Sequence, residues 1–299
     1  MQSSSNYNRI GVLYAILAYG TWGLFPIYWK LFGTIPATEI LSHRMVWSGV
    51  LLVIVLGLGQ RFQDFRKLFA VPQQWLPLLG TATLLSVNWG LYIYGVNSDR
   101  VIETSLGYFI NPLVNVLLGV LILRERLKWG QWLAVGLAIV GVGYSVLSVG
   151  QVPWLALTLA FSFGFYGLFR KMIQVEPVVG LAVETCLMIP IALLYLAYLS
   201  VHNTNHFSQS LSLSLLFVGC GVVTSFPLFC FITAAQRLKL STMGFFQYIA
   251  PSIQLVLGIW LYHEPFTMTY RVTFGFIWLA LFVYSSTSYF NGRKPISDR

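Results

Sequence analysis

Apolar runs of about 20 residues follow one another along almost the whole chain, with only short polar links between them. An α-helix needs about 20 residues to cross roughly 30 Å of hydrocarbon, and in that solvent every backbone N–H and C=O must find its partner inside the segment. A chain written this way folds as an all-α bundle of membrane-spanning helices. Composition agrees, because 57% of the 299 residues are hydrophobic and 9% charged, with a mean hydropathy of +0.73, against about 25% charged in a typical soluble domain.

Ten spans are expected, at about 10–29, 38–58, 75–96, 101–123, 130–149, 152–169, 177–200, 212–235, 240–262 and 271–290. The stretches 59–74 and 201–211 read as loops, and polar tails cover 1–9 and 291–299. The first span is long and lacks a small-residue cleavage site, so it reads as a retained helix and not a signal peptide. Placing the N-terminus in the cytoplasm puts 14 of the 18 lysines and arginines on that side. Lys30, Arg100 and Arg271 fall outside, and Arg44 falls within the membrane. The net charge of +9 is then a matter of orientation in lipid. Its scatter over short segments forms no basic domain for nucleic acid. Cys186, Cys220 and Cys230 sit inside apolar runs without paired spacing, so no metal site, disulfide framework or cofactor is expected.

The chain also repeats itself. Shifted by 139 residues, Ile110, Pro112, Leu118, Gly119, Glu125 and Gly136 fall on Ile249, Pro251, Leu257, Gly258, Glu264 and Gly275. At a shift of 141, Gly23 and Lys30 fall on Gly164 and Lys171. The halves are thus 10–149 and 152–290, five spans each, and an odd number of spans inserts the second copy upside down. Inverted repeats of this kind are a transporter architecture, with the solute held near the midplane at the repeat interface. Glu125 and Glu264 close matched helices and read as solvated anchors at the membrane edge.

Polar residues inside the spans are the candidate site. Tyr108, Asn111 and Asn115 recur at helical spacing around Pro112, and Gln247 and Gln254 do so around Pro251. Each proline removes a backbone donor. The two stripes therefore either face a polar cavity, with the amides touching solute, or glue helices together for about 0.6–2 kcal/mol each. Asn88, Trp22 and Tyr166 lie at similar depth. Glu39, His43 and Arg44 open the second span, with Arg44 roughly 10 Å below the outer edge. A lone arginine there calls for a partner, and Glu103 is nearest in depth. Arg44 with Glu103 could form an outer gate or anion contact, and Glu184 could line the inner vestibule, or each could snorkel or pair statically. Glu39, His43, Glu103 and Glu184 are titratable, which leaves proton coupling open.

The strings EILSHR, NWGLYIY, SLGYFINPLVN, AFSFGFYGL and LSTMGFFQYIAP, together with the two half-repeats, resemble the RarD branch of the EamA transporters in the drug/metabolite transporter superfamily, over about residues 9–290. That resemblance implies a bacterial inner-membrane carrier of ten helices, inverted five-helix repeats and a central cavity, whose relatives move amino acids, metabolites or drugs. It supplies no shared catalytic or ion-binding signature. The function expected is a secondary transporter exporting a small metabolite, amino-acid-like compound or drug by alternating access. A membrane-embedded enzyme would need a nucleophile, metal cluster or phosphate loop, and no such motif is present. A non-transporting receptor would need a large soluble partner surface.

Overall fold

The computed structural model describes residues 2–122, 124, 127, 129–173, 175–238, 243 and 246–292. Glu125 and the tail from 293 lie outside the described residues. Among the described residues every regular element is a helix. They are α1 (Gln2–Lys30), α2 (Ala37–Leu58), α3 (Phe62–Ala70), α4 (Pro72–Asn97), α5 (Val101–Leu121), α6 (Trp129–Val149), α7 (Trp154–Met172), α8 (Pro177–Val201), α9 (Leu211–Ala235), α10 (Ile249–Val256, continued by a π-helical turn Leu257–Leu261) and α11 (Met268–Gly292). Eight of these are long and apolar enough to cross a membrane, and the apolar Ile249–Leu261 is shorter. The protein is an integral membrane protein, as hydropathy alone requires.

Two local readings change. The stretch 59–74 is not a plain loop, because it contains α3. Phe62, Phe65 and Phe69 stack in sequence along its apolar side at 5.9 and 5.4 Å, a spacing of three to four residues that makes a short amphipathic helix. The two matched prolines also differ in setting. Pro112 lies inside α5, whereas Pro251 follows a turn at Gln247 and Tyr248 and sits in the first turn of α10. There its missing N–H would have had no intrahelical partner anyway.

Packing places the elements. Helix α1 lies against α9 and α10, and α7 lies against α4 and α5; α2 packs on α9, and α8 packs on α4. The remaining main contacts join α2 with α8, α5 with α10, and α6 with α11. Close approach depends on small residues. A Cβ on Gly23 of α1 would lie 2.7 Å from Ile253 of α10, and one on Gly164 of α7 would lie 2.8 Å from Val114 of α5. Neither position has room for a side chain, which lets the backbones approach.

Polar contacts tie the helix ends into two groups. At one end Lys30 of α1 pairs with Asp99 after α4, and Glu39 of α2 pairs with His206 before α9. At the other, Arg61 before α3 pairs with Glu176 before α8 at 3.3 Å.

Candidate functional site

The two ends of the bundle differ in character. The end that carries Lys30 and Glu39 is sealed by polar contacts. Glu39, fully buried, accepts a hydrogen bond from the His206 backbone N–H at 2.8 Å and meets His206 Nδ1 at 2.7 Å. His43, one turn further along α2, lies under Phe207 and Phe217 with ring centroids 5.0 and 4.1 Å away. Glu264, expected as a solvated anchor, is buried instead. Its carboxylate accepts from Val101 N at 2.6 Å and Ile102 N at 2.8 Å, satisfying free donors at the start of α5. Burial pushes the Glu264 carboxyl above the usual carboxylate range, against the opposing pull of those two donors.

The opposite end is open. A cavity of about 390 Å³ is lined by Tyr166, Gly167, Arg170, Lys171, Val175, Leu181, Leu228, Phe231 and Ile232, from α7, α8, the link between them and α9. Glu184 of α8, 1% exposed, lies behind that lining, bonded to two of its residues. Thr81 of α4 donates to Glu184 at 2.6 Å, Tyr166 at 3.3 Å, and Arg170 Nε approaches at 3.6 Å. Each contact offsets the cost of burying a carboxylate. Thr81 and Arg170 are absent from the sequence-based candidates, since a lone threonine in an apolar run and an arginine at a helix end carry no distinguishing pattern. A small void behind Glu184 also touches Ser86 and Trp89.

Between the ends lies a polar layer. Asn88 of α4, 1% exposed, donates to Leu159 O and Ser162 Oγ of α7, both at 3.0 Å, and accepts from Tyr108 at 3.3 Å. Asn111 donates to Ala160 O at 3.0 Å and accepts from the exposed Asn115 at 3.2 Å. Gln254 donates to Trp22 O at 3.1 Å, and its buried Oε1 has no partner among the described residues. Gln247 is half-buried in the turn before α10. In this conformation Asn88, Asn111 and Gln254 thus bond neighbouring helices. Of the sequence-predicted solute contacts only Tyr166 lines the cavity. Trp22 connects to it, since its ring lies 5.7 Å from that of Phe231.

Arg44 does not pair with Glu103. Glu103 is held by Arg100, Nη2 to Oε2 at 2.6 Å, because the two lie three residues apart across the start of α5. Arg44, 3% exposed, lies instead between two indoles, with its guanidinium carbon 3.9 Å from the Trp89 ring and 5.2 Å from that of Trp29. Such aromatic faces return up to about 2 kcal/mol against an insertion cost of about 2.5–3.5 kcal/mol. They leave the N–H groups unmade, and Arg44 Nε and Nη1 have no acceptor among the described residues.

No group of three or more histidines, cysteines or carboxylates placed to hold a metal occurs among the described residues. Comparison with known proteins matches the EamA-like transporter family over residues 9–147 and 152–286. An uncharacterized transporter of Vibrio cholerae is 49% identical over 276 residues, which is 92% of this chain and 91% of that protein. Protein RarD of Escherichia coli K12 is 44% identical over 287 residues, 96% of this chain and 97% of that protein. A solved crystal structure superposes with a TM-score of 0.58 at 18% identity, over 93% of this chain and 97% of that one, a likeness of fold alone.

Proposed function

This chain belongs to the EamA-like transporter family, and from that premise we propose that it is a secondary carrier exporting a small metabolite, amino-acid-like compound or drug across the bacterial inner membrane by alternating access. The observation that carries the reading is the asymmetry of the bundle: a cavity of about 390 Å³ at one end and closure by polar contacts at the other. A carrier caught open on one side has this form.

Ten spans in two inverted halves fit the same observations. The family matches the chain in two successive stretches. Exchanging the halves turns the α1 contacts with α9 and α10 into the α7 contacts with α4 and α5, and maps α2 with α9 onto α8 with α4. Gly23 against Ile253 becomes Gly164 against Val114 under the same exchange. With the lysine and arginine bias placing both termini in the cytoplasm, the cavity opens inward, the side from which an exporter loads. A solute entering past Tyr166 and Glu184 reaches the layer of Asn88, Tyr108, Asn115 and Gln254, whose amides would exchange helix contacts for solute contacts as the halves rock. Glu184, with Thr81, Tyr166 and Arg170 around it, is the residue best placed to couple a proton to that motion.

The test is flux. Purified protein in liposomes loaded with an extract of bacterial metabolites should release a defined subset of solutes faster than empty liposomes do. Release indistinguishable from empty liposomes for every solute would refute the carrier reading.

A further inference from the structure

Arg44 is buried in the membrane interior with hydrogen-bond donors left unused among the described residues. Arg44 is 3% exposed, and its Nε and Nη1 make no hydrogen bond among the described residues. Trp29 Nε1, on one of the two indoles that flank it, and the hydroxyl of Tyr92, packed in the same cluster as Trp29, also have no partner among the described residues. Trp29 packs in one cluster with Tyr92, Cys220 and Tyr108, side chains that bring no carboxylate to the guanidinium. The described carboxylates within the spans are engaged elsewhere: Glu39 with His206, Glu103 with Arg100, Glu184 with Thr81 and Arg170. The pocket is thus rich in donors, poor in acceptors and net positive. Such a site is complementary to an anion with several acceptor oxygens, which a guanidinium fork can bind in a bidentate way.

The pocket is closed off from the cavity by a short series of side chains. Trp89, whose face covers the guanidinium, also borders the small void that touches Glu184 and Ser86. Glu184 in turn is bonded by Tyr166 and Arg170, which line the open cavity. Displacing the Trp89 indole together with the Glu184 side chain would join cavity and guanidinium.

We propose that Arg44 anchors the negative charge of the transported solute and that the carrier takes monoanionic carboxylates, with Trp29 and Trp89 packing the solute's apolar part. The proposal rests on the carrier reading and deepens it. Glu184 beside the route disfavours a second negative charge, which selects monoanions over dicarboxylates and phosphates. An arginine held with its donors idle is a cost that the empty protein bears for binding.

The experiment uses the full-length protein in detergent, and its thermal unfolding is followed with benzoate, phenylacetate and hexanoate, with their amides, and with phenylphosphonate. At least one carboxylate should raise Tm with a shift that grows with the logarithm of its concentration. The matched amide should give none, phenylphosphonate less, and Arg44→Gln should abolish the shift. Arg44→Lys should weaken it, because it keeps the charge and loses the fork. Without ligand, Arg44→Gln should leave Tm unchanged or higher. The proposal is overturned if no carboxylate shifts the native protein, if amides act as well as carboxylates, if Arg44→Gln responds like the native protein, or if the ligand-free Arg44→Gln protein is clearly less stable. Flux separates this failure from failure of the carrier reading. Liposomes in which the native protein moves only neutral or cationic solutes would remove the anion assignment alone, and liposomes in which it moves nothing would remove the carrier reading too.

Discussion

Removing the Glu264 side chain should open the sealed end without unfolding the bundle. The carboxylate bridges α10 to the first turn of α5 through Val101 N at 2.6 Å and Ile102 N at 2.8 Å, and those two residues are 0% and 1% exposed. Glu264→Ala strands both donors, and a buried donor left unsatisfied costs about 1–3 kcal/mol. Part is returned, because burial holds the Glu264 carboxyl above its ordinary range and the ionised group is therefore kept at some cost. A net loss of about 2 kcal/mol corresponds to about a 30-fold rise in the population open at this end. Glu264→Gln keeps one acceptor and should fall between native and alanine. Ser105 reports the opening, since it is fully buried on α5 with its hydroxyl bonded to Pro251 O at 2.8 Å. In a background free of Cys186, Cys220 and Cys230, Ser105→Cys should react with an impermeant maleimide from the outside. Its labelling should be slow beside the native glutamate, faster in combination with Glu264→Gln and fastest with Glu264→Ala. Equal labelling rates in all three proteins, at equal Tm, would refute the reasoning that this contact holds the end shut.

Further predictions concern topology, the amide stripes and the repeat. Single cysteines at Gln63 and Asn203, both exposed, should label from opposite sides of the membrane in whole cells and inverted vesicles; labelling from one side would remove the ten-span arrangement. Asn115→Leu and Gln254→Leu should reach the membrane folded yet lose flux or change solute preference, while Val256→Leu on the exposed side of α10 should behave as native; unchanged flux for both amide variants would assign them to helix contacts. Gly23→Ala and Gly164→Ala should each lower stability by about 1–3 kcal/mol, because their Cβ atoms would lie 2.7 and 2.8 Å from Ile253 and Val114; thermal unfolding that leaves either variant at the native Tm would contradict the equivalence of the two helix crossings.

Residue type and spacing make the bundle legible in the sequence, because lipid leaves the backbone no choice but helix and span length is fixed by membrane thickness. Segment α3 escapes such a reading, since nine residues with three phenylalanines are too short to stand out from a polar link. Partners are harder to read than positions. Depth alone matches Arg44 with Glu103, yet Glu103 is taken by Arg100 three residues earlier, a local geometry that outcompetes any distant match. Glu39 finds His206 on a loop 167 residues away, a pairing that no periodicity encodes. The amides stand out as polar groups in apolar helices, but which of them face a neighbouring backbone depends on how α7 crosses α4 and α5, and that is a tertiary fact.

Alternating access requires the sealed end to open for solute to pass. Glu39 and His206 meet across that end at 2.7 Å, so Glu39→Cys with His206→Cys can be joined by a short bifunctional thiol reagent with a reducible spacer. Release of metabolite-extract solutes from liposomes is then followed before cross-linking, after it, and after reduction. Alternating access predicts flux before, none while the link holds, and recovery on reduction, with carboxylate-induced thermal stabilisation retained in the linked protein because loading occurs from the other end. Flux at the unlinked rate through the cross-linked protein would contradict alternating access.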